Sequence, residues 1–488
     1  MDDLKKKGFT AFIWDFFGKL AKQGTGFVVT IFLARLLEPA DFGLVAIIMV
    51  VIGIAGVFTD IGLGAALIQR RRVHPVHFSS VFYFNISVGL FLSAATFFAA
   101  PGMSRFYGNE QLLPLVQVMS VSFVLNAFSS VQRIRLRKEL NYALLTKIGF
   151  VSSLVSGVTG VGLAFWGAGV WSLVVQSLSM GFISNIILWR MARWRPSLVF
   201  SWKALTQLWG FGFRMFLSNI LETVFTRIDY MIIGKLFPMD ILGFYQRAKS
   251  LNLLVINYSS GSLMSVLFPV LSKIQQDLPR FQTVVIKALG IISFSVFFLL
   301  GNLYLVSEEL MVLLFSDKWL PAAEYFQILA LSGFSYPINS LLVNTIVSRG
   351  NSALNLKIQI YKKLVLLSNL SIGFFFGLTG YLYGLVVVAV VNTLINVAAA
   401  SHEIKLSILT LGKPVVLQAI LTMPIVYMTL VLAEFLPLSD ILRMIIKILL
   451  FSLAYIMVNH IFKIAAYLRF FEQVEPIVKK MAQRLKKR

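Results

Sequence analysis

The chain has 488 residues, 58% of them hydrophobic and 13% charged, and its 44 Lys and Arg against 21 Asp and Glu give a net charge of +23. A mean hydropathy of +0.82 excludes an ordinary soluble domain, in which apolar residues make up roughly half of the chain. The absence of cysteine excludes disulfides, thiolate metal sites and cysteine nucleophiles.

Apolar runs of about 20 residues recur along the chain, each long enough to cross roughly 30 Å of hydrocarbon. They lack the alternation of barrel strands and therefore read as helices, whose backbone groups are satisfied internally. In chain order they lie near 12–36, 42–68, 78–99, 113–133, 144–165, 168–189, 206–234, 250–271, 283–305, 322–346, 359–379, 381–401, 411–433 and 439–462. The expected fold class is an all-α integral membrane protein with fourteen transmembrane helices. No cleavable signal is expected, because the first apolar run is too long and lacks a small-residue cleavage site.

Lys5 to Lys7, Arg70 to Arg72, Arg133 to Lys138, Arg190 to Lys203, Lys273 to Lys287, Arg349 to Lys363 and the tail after Lys463 fall on one side of these spans. The positive-inside rule makes that side cytoplasmic, with both termini inside. The basic excess is thus an orientation signal that meets anionic membrane lipid, not a nucleic-acid footprint.

The spans repeat. Arg35-Leu-Leu-Glu-Pro-Ala-Asp-Phe-Gly-Leu-Val45 returns as Lys235-Leu-Phe-Pro-Met-Asp-Ile-Leu-Gly-Phe-Tyr245, and Phe106-Tyr-Gly-Asn-Glu returns as Phe315-Ser-Asp-Lys-Trp. Spans one to six (1–190) and seven to twelve (206–402) form two lobes, joined by a cytoplasmic linker at 191–205. Six is even, so the lobes are parallel repeats about a pseudo-twofold axis along the membrane normal, with a central cavity between them. Two further spans (403–465) are appended. The tail 466–488 carries Leu468, Phe471, Val474, Ile477, Val478 and Met481 at helical spacing among basic residues, as an amphipathic helix on the inner leaflet would. It is either an anchor or a regulatory helix.

Charges within a membrane usually face water or a partner. In span one, Asp15, Lys19 and Lys22 fall within about 60° of one helix face. In span seven, Arg214, Ser218, Glu222 and Asp229 share a face, while Arg227 points elsewhere. These helices head the two lobes, so Lys19, Lys22, Arg214 and Arg227 are candidates for binding an anionic substrate. Asp15, Asp60, Glu222 and Asp229 are candidates for ion coupling or charge balance, and a structural ion pair between lobes is the alternative for both sets. Asp60 could equally cap a helix break beside Gly62 and Gly64. Those glycines, like Gly160 and Gly162, lie within spans with no preceding strand, so they allow close helix approach and do not form a nucleotide loop. His74 and His77 are too few for a metal site, and His460 reads as interfacial. No metal, cofactor or enzymatic constellation is expected.

Leu36-Leu-Glu-Pro-Ala-Asp-Phe-Gly-Leu-Val-Ala46, Asp60-Ile-Gly-Leu-Gly-Ala-Ala-Leu-Ile-Gln69, Phe106-Tyr-Gly108, Lys318-Trp-Leu-Pro321 and Gln327-Ile-Leu-Ala-Leu-Ser-Gly333 together resemble one family. It is the polysaccharide transporters, or Wzx-type flippases, of the multidrug/oligosaccharidyl-lipid/polysaccharide superfamily, in its colanic-acid and teichuronic-acid exporter branch. The resemblance implies two six-helix lobes and alternating access. It also implies transfer of undecaprenyl-diphosphate-linked oligosaccharide across the bacterial cytoplasmic (inner) membrane, alongside polysaccharide polymerase and chain-length machinery. Lys19, Lys22 and Arg214 would then belong to a basic central cavity. The alternatives are a cation-coupled drug exporter of the same superfamily and a membrane polysaccharide polymerase, although no loop here is long enough for the latter.

Overall fold

The computed structural model describes residues 2–192, 194–435, 439–470 and 472, without the side chains of 2–13, 15, 16, 255–266 and 352. Every regular element among the described residues is helical. The chain folds as two compact units, 1–246 and 247–488.

Unit 1 contains α1 (Asp2–Leu36), α2 (Pro39–Gly56), the short α3 (Leu63–Gln69), α4 (Pro75–Tyr107), α5 (Leu112–Met119), α6 (Val121–Lys138), α7 (Tyr142–Phe165), α8 (Trp171–Met191) and α9 (Trp202–Leu236), and the start of α10 (Met239–Lys273). The starts of these helices follow local chemistry. Pro39 and Pro75 stand at first-turn positions, where a missing N–H costs nothing. The Asp41 carboxylate accepts from the Glu38 N–H at 3.1 Å, and His77 Nδ1 accepts from the His74 N–H at 3.3 Å. Two of the chain's four histidines therefore serve a helix cap. Asn141 and Ser201 cap α7 and α9 by accepting from Leu144 N and Ala204 N.

Small residues bring the helices together. A Cβ on Gly157 would collide with Val29, and one on Gly160 would come within 2.8 Å of Gln176. Thr146 Oγ1 donates to the Trp14 carbonyl across α1 and α7 at 2.9 Å. The segment expected as a linker, 191–205, is packed. Trp194 is buried among Phe78, Phe82 and Leu205, and Ser79 and Ser80 bond Ser197 and the Ser201 N–H. Because α9 also packs on α2, α3 and α4, the first compact unit extends to residue 246, inside α10, beyond the linker expected at 191–205.

Unit 2 continues with α11 (Leu278–Leu305), α12 (Ser307–Phe315), α13 (Pro321–Gly333), α14 (Ser335–Ser348), α15 (Ser352–Gly373), α16 (Gly377–Glu403), α17 (Ile408–Glu434) and α18 (Asp440–Ile461). Its core is an apolar cluster of Phe281, Leu289, Ile292, Leu341, Leu342, Ile346, Val397 and Leu411. The appended pair α17–α18 is fastened to α11 by polar bonds inside the unit. Tyr455 Oη donates to the Phe294 carbonyl at 3.0 Å and bonds Gln418 Oε1 at 2.5 Å, while Gln418 Nε2 donates to Asn459 Oδ1 at 2.8 Å. The tail begins as helix at 465–470, with Ala466 buried against Gly290. Its expected amphipathic part beyond 472 lies outside the described residues.

Among the described residues ten helices are long and apolar enough to cross a membrane, one of them the 51-residue stretch Ala353–Glu403 that holds two expected spans. The helices α1, α9 and α10, each 35 residues long, are not among the ten. Lys19 and Lys22 in α1 and Arg214, Glu222, Arg227 and Asp229 in α9 lower the hydropathy of those two. The chain is a multi-pass, all-helical membrane protein. Many large apolar side chains point outward, Phe98, Trp166, Phe375 and Met423 among them, as lipid-facing residues do.

Candidate functional site

Every candidate site residue lies in unit 1, on α1, α9 or the break after α2. Lys19 and Lys22 are exposed on α1. Asp15 lies on the same helix, and its side chain is outside the described residues. The α6 helix runs on to Lys138, which places Arg133 more than a turn inside it. Arg133 Nη2 donates to Ser184 Oγ on α8 at 2.8 Å, and its buried Nε has no hydrogen-bond partner. Lys22 stands close enough to Arg133 for the two positive charges to repel, and Arg133 is repelled in turn by Arg137. Three cations from α1 and α6 therefore form one electropositive group.

Sequence reading assigned Arg133 and Arg137 to a cytoplasmic basic cluster and so missed them. A signal was present: Asn126, Ser130, Arg133 and Arg137 follow i, i+4, i+7 and i+11, one continuous polar stripe on α6.

Asp60 lies at a break between α2 and α3. The helix ends in a 3₁₀ turn at Val57–Thr59, Ile61 and Gly62 adopt positive φ of 40° and 72°, and α3 restarts at Leu63. Asp60 Oδ1 accepts from the Gly64 N–H at 2.8 Å, satisfying a donor that the break exposes. The Asn85 amide and the Arg137 charge also face this carboxylate. Asn85 Nδ2 bonds Ser130 Oγ at 3.0 Å, which ties the break to the polar stripe of α6. Gly62 is required here for two reasons: its φ is left-handed, and a Cβ would collide with the Gly212 carbonyl of α9.

The charges of α9 divide into two sets. Arg214, Ser218 and Glu222 are exposed. Arg227 Nη1 donates to the Met49 carbonyl at 2.8 Å, and its guanidinium lies over Gly53 of α2. Asp229 is buried and accepts from the Tyr245 hydroxyl and, at 3.0 Å, from the Tyr230 N–H. The structure thus brings Lys22 near Arg133, and Arg137 near both Arg133 and Asp60. Arg227 and Asp229 are engaged with backbone and Tyr245, away from the exposed face of Arg214.

Unit 2 buries charges of its own that sequence reading passed over. Arg247 lies between the rings of Phe315 and Trp319, at 5.1 and 5.3 Å from their centroids. Lys447 Nζ bonds Glu309 Oε1 at 2.5 Å. Among the described residues no three His, Asp or Glu side chains are grouped to hold a metal ion.

The chain as a whole is similar to known proteins. The family model described as polysaccharide biosynthesis protein matches residues 32–324. The chain belongs to that family. It is 23% identical over 405 residues to lipopolysaccharide biosynthesis protein WzxC of Escherichia coli K12, covering 80% of each chain. It is 26% identical over 321 residues to the succinoglycan biosynthesis transport protein ExoT of Rhizobium meliloti, covering 65% of each. Teichuronic acid biosynthesis protein TuaB of Bacillus subtilis is 26% identical over 290 residues, 57% of this chain and 58% of its own. Among solved structures, the inward closed conformation of the lipid II flippase MurJ matches with a TM-score of 0.68 at 16% identity, over 93% of this chain and 99% of that one. An inward-facing multidrug resistance transporter of the MATE family matches with a TM-score of 0.61 at 16% identity, over 79% of this chain and 96% of that one. The fold is shared with these transporters, and the family's work is transport in polysaccharide biosynthesis, not catalysis.

Proposed function

We propose that this protein is a lipid-linked oligosaccharide flippase, moving undecaprenyl-diphosphate-linked sugar units from the inner to the outer leaflet of a bacterial cytoplasmic membrane by alternating access. The observation that carries this reading is the run of neighbouring cations Lys22, Arg133 and Arg137, in a chain of the polysaccharide biosynthesis protein family. A diphosphate needs several charged donors at once, and hydrogen bonds to charged groups contribute about 1.5–3 kcal/mol each. Lys19 and the exposed Arg214 extend the same surface chemistry toward the sugar, while Arg227 positions α9 on α2. The polyprenyl tail stays in lipid, where the hydrocarbon of each isoprene unit is already at home.

In this reading the chain crosses the membrane fourteen times with both termini inside, and α1, α9 and α10 are spans that owe their low apolarity to the polar faces they carry. Asp60 and Glu222 serve ion coupling or charge balance. Polysaccharide polymerase and chain-length machinery receive the product.

The test is mass spectrometry of undecaprenyl-diphosphate-linked sugars, with surface-polysaccharide staining, in a strain whose only flippase is this protein and in its deletion. Completed oligosaccharide trapped on the carrier, with surface polymer lost, is the expected result and identifies the cargo. Unchanged pools and intact polymer would sink the reading and point to a drug exporter, whose deletion would alter drug susceptibility instead. The double variant Lys22→Gln/Arg214→Gln should insert normally and lose surface polymer; full polymer would refute the cavity assignment.

A further inference from the structure

The two copies of the repeated motif touch each other. Gly43 stands at the same place in the first copy as Gly243 in the second, and Pro39 corresponds to Met239. All four lie in unit 1. A Cβ on Gly43 would collide with the Met239 carbonyl and come within 3.2 Å of the Gly243 nitrogen. A Cβ on Gly243 would collide with the Pro39 carbonyl and come within 3.3 Å of its Cα. The contact is therefore reciprocal: each glycine receives the backbone carbonyl that lies four residues upstream of the other. Such pairing is what a twofold axis through the contact produces.

The neighbouring residues along both helices are buried, Leu37, Phe42, Leu44 and Ile47 near Gly43 in the chain and Leu242 and Tyr245 near Gly243. Gly234 at the end of α9 admits Ile47 and Leu242. A second latch lies beside it, where Lys235 donates to the Phe106 carbonyl and its ammonium sits 4.6 Å from the Phe106 ring centroid. Both contacts lie on the side of the spans away from the basic loops, hence outside.

We infer that the Gly43–Gly243 contact is the outer gate of the transporter, closed in this structure, and that it parts when the substrate path opens outward. The inference rests on the alternating-access reading. Backbone meets backbone here without intervening side chains, so the seal is close when shut. The carbonyls belong to first-turn residues of α2 and α10, whose oxygens keep their intrahelical partners when the faces separate. A contact of this kind opens without stranding a buried polar group.

The natural absence of cysteine makes the gate directly testable. Ala46, buried one turn below Gly43, is replaced by Cys as a reporter and labelled from outside with a membrane-impermeant maleimide. Adding Gly43→Ala or Gly243→Ala should raise the labelling rate at least tenfold by wedging the contact. Gly56→Ala, whose Cβ meets open space, should leave it unchanged. Rates unaltered in both gate variants would overturn the inference.

Should the wedged variants fail to fold, Ala40→Cys/Asp240→Cys keeps both glycines. Joining these two sites with a reductant-cleavable bis-maleimide should abolish flipping in proteoliposomes, and reduction should restore it. Transport undiminished with the cross-link in place overturns the gate. A labelling shift in cells whose lipid-linked sugar pools never respond to the protein supports the gate while refuting the cargo.

Discussion

Removing the Lys447 ammonium tests how the appended helices are held. Its Nζ lies 2.5 Å from Glu309 Oε1, with the two side chains only 11% and 7% exposed, and Glu309 Oε2 has no hydrogen-bond partner. Lys447→Met therefore leaves a carboxylate buried without its counter-charge, a change that costs about 3–5 kcal/mol. Glu309 occupies the first turn of α12, where the positive end of the helix returns about 0.3–1 kcal/mol. The lower end of the range, about 3 kcal/mol, is expected. Replacing both partners by Lys447→Met/Glu309→Leu removes the stranded charge as well, so the pair should recover to within about 1 kcal/mol of the native protein. The assay is reversible unfolding in mixed micelles with rising dodecyl sulfate, followed by tryptophan fluorescence. A Lys447→Met variant as stable as the native chain, or a double variant no better than the single one, would refute this account.

Three further outcomes are expected. Asp60→Ala loses the bond to the Gly64 N–H and should destabilise by about 1 kcal/mol, as loss of a cap does. Asp60→Asn keeps an acceptor there, so loss of transport by the stable Asn variant would assign Asp60 to coupling, and full transport would leave it a cap. Tyr245→Phe removes a donor from the buried Asp229 carboxylate and should cost about 1.5–3 kcal/mol by the same unfolding assay; an unchanged midpoint would show the bond to be idle. Lys22→Gln and Arg133→Gln should each weaken apparent affinity for a diphosphate-bearing lipid by about 10- to 100-fold, read as cargo concentration for half-maximal flipping, whereas an unshifted value would remove that residue from the site.

Much of this protein is set by local chemistry and could be read without coordinates. Helical spans follow from apolar length, because lipid leaves backbone groups no partner but each other. An expected sidedness follows from where the Lys and Arg lie, and an expected duplication from two motifs about 200 residues apart. The family follows from Leu36–Ala46, Asp60–Gln69 and the other motifs that resemble it. Only tertiary structure decided which charges meet. Asp229 looked equivalent to Arg214 on a helical wheel, yet the approach of α10 buries it beneath Tyr245 while Arg214 stays exposed. Arg133 looked like the start of a basic loop because the expected span ends at it, but α6 continues to Lys138 and neighbouring helices enclose the charge. Periodicity fixes the face a residue occupies on its own helix. What that face meets depends on close approaches such as Gly43 against Met239 and Gly243 against Pro39, which join segments far apart in the chain and leave no trace in the periodicity of either one.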